Sequence, residues 1–267
     1  MPASLVTSRA NPRVKQLRAA FAGHARLAAG LVAIEGENLL REALRSGLPL
    51  KTIFLSERLD PPAWLPRSVE LLTLPDDVFA SAVDTQHPQG IAALLVPPVW
   101  TLEAALSACP GSALLLIAAG LQDPGNLGTL IRSAEAFGAS AVLTTSGTVN
   151  EWNQKALRAS AGSVFRVPVI SVTHDDLAAL KANGIRILAA VAPEAAPTPT
   201  SAAQSDLTHP SALMIGNEGA GLSSDLLALA DAFITIPTPG GIESLNAAVA
   251  GSLLLYEAAR QRMAPNP

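Results

Sequence analysis

Residues 236–260 read IPTPGGIESLNAAVAGSLLLYEAAR. The segment starts as the end of an apolar strand (232–236), breaks at a Pro/Gly turn (237–241), and then predicts a helix. Leu245, Val249, Leu253, Leu254 and Ala258 recur at helical spacing and predict its apolar face. Ser244 and Asn246 stand at its start. A strand that feeds such a turn and a helix N-terminus leaves unpaired N–H groups open to a polar ligand. The same residues also read as an ordinary strand–turn–helix with Ser244 as N-cap.

Upstream, the chain alternates strands and helices. Strands are predicted at 114–118, 141–145, 165–170, 185–191, 212–215 and 232–236. Helices are predicted at 126–137, 153–161, 175–182 and 224–230. The strand at 114–118 is apolar without interruption, as expected when both faces are covered. Pro168 places the strand at 165–170 near an edge. Residues 193–210, rich in Pro, Ala, Thr and Ser, read as a loop. The sum is a parallel α/β sheet with helices on both faces. Ahead of it, residues 1–96 read as a smaller α/β unit, with helices from Asn11, at 35–47 and at 76–83, and strands at 31–34, 52–55, 69–74 and 90–96. Residues 97–101 (PPVWT) read as a proline-stiffened linker, and 102–267 as the second domain.

Composition excludes several classes. No apolar run approaches the roughly 18 residues a membrane span needs. The N-terminus shows no apolar signal region, and Cys109 is the one cysteine, so a cytoplasmic protein without a disulfide is expected. A dinucleotide-binding reading fails because no G-x-G-x-x-G follows the first strand of the second domain and no acid ends the next. There is no P-loop, no zinc-ligand spacing and no G-x-S-x-G. Net charge is −4, yet residues 1–34 carry Arg9, Arg13, Lys15, Arg18 and Arg26 and no Asp or Glu. That arm reads either as a set of phosphate contacts or as a solvated helix face.

Three stretches carry a resemblance: 126–134 (NLGTLIRSA), 215–222 (IGNEGAGL) and 236–251 (IPTPGGIESLNAAVAG). In this order they resemble the three motifs of the SpoU/TrmH family, RNA ribose 2′-O-methyltransferases of the SPOUT class. The N-terminal pattern TSRANPRVKQLR…IEGENLLREAL…HPQGIAA is similar to the substrate-binding domain found ahead of many SpoU enzymes. The resemblance covers nearly the whole chain. It implies a C-terminal SPOUT α/β-knot, a parallel sheet with a deep trefoil knot, and an N-terminal domain of ribosomal-protein L30e-like fold.

The resemblance also implies S-adenosylmethionine as cofactor, RNA as substrate (ribosomal favoured over transfer RNA) and a homodimer, with no metal and no membrane. By it, Gly216, Asn217, Gly221, Ile236, Pro237 and Leu245 are expected at the cofactor, with Thr144 near its ribose or methionine end. Arg132 matches the family's catalytic arginine. An arginine side chain is a poor general base, so a clamp on the target phosphate is the physically preferred role, with a deprotonated arginine or a surface salt bridge to Glu135 or Glu218 as alternatives. Asn126 is expected to cap its helix and hold the ribose or Arg132, Glu218 to orient Arg132, and Ser244 and Asn246 to hold a phosphate or the cofactor carboxylate. Lys155 and Arg158 are expected near RNA, with the basic arm. The alternatives are a transfer-RNA methyltransferase, an antibiotic self-protection enzyme of the same chemistry, and a non-catalytic RNA-binding or assembly protein on the same scaffold.

Overall fold

The computed structural model describes residues 4–23, 30–193 and 199–263; Arg26 and residues 194–198 of the expected loop lie outside them. The chain divides into two compact units, Met1–Val99 with Trp152–Phe165, and Trp100–Glu151 with Arg166–Pro267.

The first unit is built on a mixed sheet of β1 (Ser4–Leu5), β2 (Val32–Glu35), β3 (Leu50–Ser56), β4 (Glu70–Leu74) and β5 (Ile91–Leu95), in the order β1-β4-β3-β5-β2. β5 runs antiparallel to β2 and β3, and the other pairings are parallel. Helix α1 (Pro12–Phe21) starts with Pro12 in its first turn, and the Asn11 side chain accepts from the Arg13 N–H. Val14, Leu17, Ala20 and Phe21 fall on one side of it and meet Phe54, Leu72 and Leu94 of the sheet in one core. Helices α2 (Glu37–Arg45) and α3 (Asp76–Ala80) follow β2 and β4.

The segment 152–165 joins this unit although it is remote in sequence. Its helix (Gln154–Ser160, the sixth among the described residues) meets β2, the last strand of the sheet, through its first residue. The buried Gln154 amide donates to the Ala33 carbonyl at 2.9 Å, satisfying a backbone acceptor on that strand. Trp152 stacks on Phe165 with ring centroids 6.3 Å apart. A strand was expected from 165. Instead Ser163–Phe165 form a 3₁₀ turn within the first unit, and only Val169–Ser171 are extended.

The second unit is a wholly parallel seven-stranded sheet. Its strands are β6 (Leu114–Ala118), β7 (Ala141–Thr144), β8 (Val169–Ser171), β9 (Arg186–Ala190), β10 (Thr200–Ser201), β11 (Ser211–Ile215) and β12 (Ala232–Thr235), in the order β10-β12-β9-β11-β6-β7-β8. β8 is an edge strand, as Pro168 predicts. The stretch expected as loop contributes β10, two residues paired parallel to β12, too short to leave a periodicity signal. Helices α4 (Leu102–Ser107), α5 (Pro124–Ala136), α6 (Gln154–Ser160, in the first unit), α7 (His174–Ala182), α8 (Ser224–Leu229) and α9 (Ala247–Met263) follow in order among the described residues. Leu115, Ile117, Leu143, Ile187 and Met214 form one core with Leu177 and Leu180 of α7 and Leu226 of α8. Helix α9 packs on α5, β11 and β6. Both faces are covered, so β6 and β11 are buried along their whole length.

Two expectations for the C-terminal helix are corrected. Its cap is Asn246, not Ser244: the Asn246 Oδ1 accepts from the N–H groups of Ala248 at 2.9 Å and Val249 at 3.2 Å. Its buried face is Ala247, Ala248, Gly251, Leu254, Leu255, Ala258 and Ala259, while Val249 and Leu253 are exposed. Small residues set this rotation. A methyl group at Gly251 would lie 2.4 Å from Leu130 Cδ2, so α9 meets α5 closely along its small-residue side. Among the described residues, no helix is long and apolar enough to cross a membrane.

Candidate functional site

In a parallel sheet, the loops beyond the strand C-termini are the natural ligand site. Four such loops matter here: those after β6, β9, β11 and β12. The β6 loop is pinned to its own strand by Thr148, whose hydroxyl donates to the Ala118 carbonyl at 2.9 Å and accepts from the Gly120 N–H at 3.0 Å. The loop then enters α5 through Asp123 and Pro124. Asp123 is the cap, accepting from the Asn126 N–H at 2.9 Å. The capping role expected of Asn126 is therefore corrected: Asn126 lies inside the first turn and its side chain is released for other partners.

The β11 loop closes on itself. Asn217 and Gly221 exchange backbone hydrogen bonds at 3.0 and 2.9 Å. The Asn217 Oδ1 accepts from Gly219 and Ala220, and its amide donates to the Gly120 carbonyl at 2.8 Å, tying this loop to the β6 loop. Gly216 is the hub of the turn. A methyl group there would sit 2.4 Å from the Gly221 carbonyl carbon and 2.7 Å from the Leu222 nitrogen.

One chain of side chains joins the three motifs. The Asn246 side-chain amide donates to the Asn126 Oδ1 at 3.1 Å, and the Asn126 Nδ2 donates to the Glu218 carboxylate at 2.7 Å. Residues about a hundred positions apart thus fix one another's orientation.

Beside this relay lies a cavity of about 470 Å³. Of the residues expected at a cofactor, Gly216, Asn217, Gly221, Ile236 and Leu245 line it, and so do Glu218 and Ser244. Pro237 and Thr144 are not among its lining residues. Thr144 is buried at the end of β7, its carbonyl accepting from Val172. Sequence reading missed a wall made by Ala190, Val191, Ala192 and Pro193 after β9, together with Ile234 and Thr235. The strand-end rule applied to β9 finds that wall, because β9 is the neighbour of β12 in the sheet. Thr235 is a lining residue, but its hydroxyl is fully buried and has no hydrogen-bond partner among the described residues. A cavity with apolar walls, edged by a tight backbone turn, suits a flat, partly polar ligand.

Arg132 stands apart. It is exposed on α5 with no hydrogen bond or ion pair among the described residues. The pairings expected for it go elsewhere: Glu218 accepts from Asn126, and Glu135 holds Arg166 in an ion pair. The basic arm is internally engaged. Arg9 pairs with Asp77 at 2.7 Å, Arg13 with Glu70 at 3.0 Å, and Arg18 donates to the Ser81 carbonyl. Lys15 and Arg158 are exposed without an ion pair among the described residues, and Lys155 is exposed. Exposed pairs of this kind contribute little stability and exchange readily for another anion. Among the described residues, no group of three or more His, Cys, Asp and Glu could hold a metal ion.

The family model for the SpoU rRNA Methylase family matches residues 113–256, and that for the MRM3-like substrate binding domain matches residues 11–93. The chain is 35% identical over 252 residues to the 23S rRNA (guanosine(2553)-2′-O)-methyltransferase RlmP of Bacillus subtilis, covering 94% of this chain and 97% of that protein. It is 29% identical over 270 residues to the 23S rRNA (uridine(2479)-2′-O)-methyltransferase of Streptomyces viridochromogenes, covering 97% and 92%. Among solved structures, the AdoMet-bound rRNA methyltransferase from Sinorhizobium meliloti matches with a TM-score of 0.83 at 28% identity, covering 98% of this chain and 99% of that one.

Proposed function

This chain belongs to the SpoU rRNA methylase family, and from that premise we propose that it is an S-adenosylmethionine-dependent enzyme that methylates a ribose 2′-hydroxyl in ribosomal RNA. The observation that carries the reading is the Asn246–Asn126–Glu218 relay beside the cavity, since it ties the three motif loops into one polar site. S-adenosylmethionine, when bound, would supply an activated methyl group: its sulfur–methyl bond would break as the methyl–oxygen bond forms, leaving S-adenosylhomocysteine as the thioether and releasing the hydroxyl proton. The cavity residues fit that cofactor: Ile234, Ile236 and Leu245 offer apolar walls, and the 216–221 turn offers backbone groups at close range.

The protein's part is alignment and charge placement. Arg132, with no intramolecular partner among the described residues, is available to hold a target phosphate through two parallel N–H···O bonds. Glu218, held by Asn126, is an exposed acceptor at the cavity, and Ser244 offers a hydroxyl beside it. Asn246 fixes both the helix start and the relay. We place RNA contacts on Arg9, Arg13, Lys15, Arg18, Lys155 and Arg158, all in the first unit, and assign that unit to presenting the substrate. A cytoplasmic setting follows from the substrate. The threading of the C-terminal segment into a knot belongs to the same reading.

We also propose a homodimer. Val249, Leu253 and Tyr256 are exposed at helical spacing along α9, an apolar stripe of the kind that marks an interface. Arg132 lies near its border, because the neighbouring Ser133 hydroxyl shares a hydrogen bond with Ser252 at 2.7 Å.

Methyl transfer from labelled S-adenosylmethionine to unmodified ribosomal RNA and bulk transfer RNA, followed by mapping of alkali-resistant linkages, tests the activity. A resistant linkage in ribosomal RNA is expected. Labelling without alkali resistance would place the methyl on a base and refute the ribose assignment.

A further inference from the structure

The turn at 84–90 (DTQHPQG), ahead of β5, lies outside the three motifs, yet the first unit holds it from several sides. Glu35, the last residue of β2, is 4% exposed. One of its carboxylate oxygens accepts from the Thr85 hydroxyl at 2.7 Å and the other from the Gln89 N–H at 2.7 Å. The Arg58 guanidinium donates to the Pro88 carbonyl at 2.6 Å. A methyl group at Gly90, φ +81°, would lie 2.7 Å from Leu59 Cδ1, so Leu59 covers the base of the turn. Burying a carboxylate is costly unless its oxygens are matched, and both are matched here by one turn. Fixing a turn also costs backbone entropy, and a mere connection between α3 and β5 has no need of it.

The turn presents a particular set of groups. Gln86, His87 and Gln89 are exposed, and their side chains have no hydrogen bond or ion pair among the described residues. Residues 84–90 contain no Lys or Arg, and Asp84 is acidic, so the turn is a poor phosphate site. A side-chain amide carries a donor and an acceptor in one plane, which matches the edge of an unpaired base. An imidazole ring stacks on the face of one. Leu59, 38% exposed, adds apolar surface next to Gly90. Amides and a ring held on a fixed turn are preorganised for recognition.

We propose that Gln86, His87 and Gln89 read unpaired bases of the RNA substrate, with Glu35 as the residue that positions their turn. The basic side chains assigned above supply attraction to phosphates without regard to sequence, and this turn supplies the sequence preference. The proposal rests on the RNA-methyltransferase reading.

The test measures methyl transfer and binding with an unmodified 23S rRNA transcript, and binding to a plain RNA duplex, whose base edges lie in a deep, narrow groove. Gln86→Ala, His87→Ala and Gln89→Ala combined should raise KM for the transcript about tenfold, with kcat near wild type. Duplex binding and the salt dependence of binding should stay at wild-type values, because no phosphate contact is lost. Lys15→Ala with Arg158→Ala should instead weaken both RNAs and flatten the salt dependence. Glu35→Ala should reproduce the triple variant's KM. Glu35→Gln should recover most of it, since its amide can accept from the Gln89 N–H and donate to the Thr85 oxygen. Thermal melts identify any variant that fails to fold, and Thr85→Val, which removes one of the two bonds from the other side, replaces Glu35→Ala in that case.

An unchanged KM in the triple variant, or equal loss on transcript and duplex, would overturn the proposal. Loss confined to intact ribosomal particles would also overturn it, by assigning the turn to a protein partner. A wild-type KM in folded Glu35→Ala or Thr85→Val would remove the positioning role. Wild type that neither binds nor methylates the transcript would overturn the activity reading and this proposal with it, a result distinct from any difference between variants.

Discussion

Gly216→Ala isolates the geometry of the β11 turn from its chemistry, because it adds one methyl group and changes no polar atom. That methyl would stand 2.4 Å from the Gly221 carbonyl carbon and 2.7 Å from both the Gly221 oxygen and the Leu222 nitrogen, all backbone atoms. Carbon atoms in contact prefer about 3.5 Å or more, so the turn must open by about 1 Å. The movement separates the residues that make the paired Asn217–Gly221 hydrogen bonds at 3.0 and 2.9 Å. Losing two backbone hydrogen bonds at about 0.5–1.5 kcal/mol each costs about 1–3 kcal/mol. The turn lines the cavity, so this cost falls on cofactor binding, which should weaken about fivefold to a hundredfold.

Gly221→Ala is the control. Gly221 has φ +68° and no atom near the position of an added methyl, so it meets backbone strain alone, about 1 kcal/mol. Calorimetric titration and thermal melts of both variants decide the matter. Near-wild-type affinity and stability in Gly216→Ala, or a larger defect in Gly221→Ala, would refute the steric argument.

Arg132→Ala should leave S-adenosylmethionine binding within about a few-fold of wild type yet reduce methyl transfer by two orders of magnitude or more, measured by calorimetry and labelled transfer; equal loss of both would end the phosphate-clamp role. Mixing Arg132→Ala with Asn126→Ala subunits should restore about a quarter of wild-type activity if each site draws Asn126 from one copy and Arg132 from the other, whereas sites complete within one chain would recover none. The Arg262 guanidinium donates to the carbonyls of Leu207, Ser112 and His209 at 2.7–2.8 Å, and burial pushes its pKa down; Arg262→Ala should cost about 2–4 kcal/mol in denaturant unfolding, since it strands several acceptors. Burial alone would raise the Asp231 pKa, but the Lys181 ammonium and the Ile187 N–H outweigh it and hold the carboxyl below its ordinary value. Asp231 therefore contributes stability that is complete above the ordinary carboxylate range and lost as pH falls through its lowered value, so Asp231→Asn should be less stable at neutral pH and lose less on acidification, read from melting temperature against pH.

The long strands were legible because physics left one reading open. Residues 114–118 and 212–215 are uniformly apolar, as expected of strands covered on both faces. The short edge strand Thr200–Ser201 was not, since two residues carry no period and its extension depends on β12 beside it. The buried face of α9 was misread for a related reason. Large apolar side chains were assigned inward, but close approach to α5 is made at Gly251, and the buried face runs through Ala248 and Ala258, which leaves Val249 and Leu253 exposed. The cap of α5 was readable and missed: Asp123 followed by Pro124 is a helix start, and recognising it frees the Asn126 side chain.

That release changes what the site needs. Asn126 and Arg132 are six positions apart on one helix, so their side chains leave it roughly 120° apart around its axis. The face that presents Asn126 to Glu218 and Asn246 therefore cannot also present Arg132. The structure agrees, giving Asn126 two partners in the relay and Arg132 none among the described residues. Sequence spacing places both residues in one motif, while helical geometry sends them in different directions. A single copy thus assembles the cavity and the amide relay, and a second copy docked along the exposed stripe of α9 is the simplest way to bring a guanidinium to the same hydroxyl.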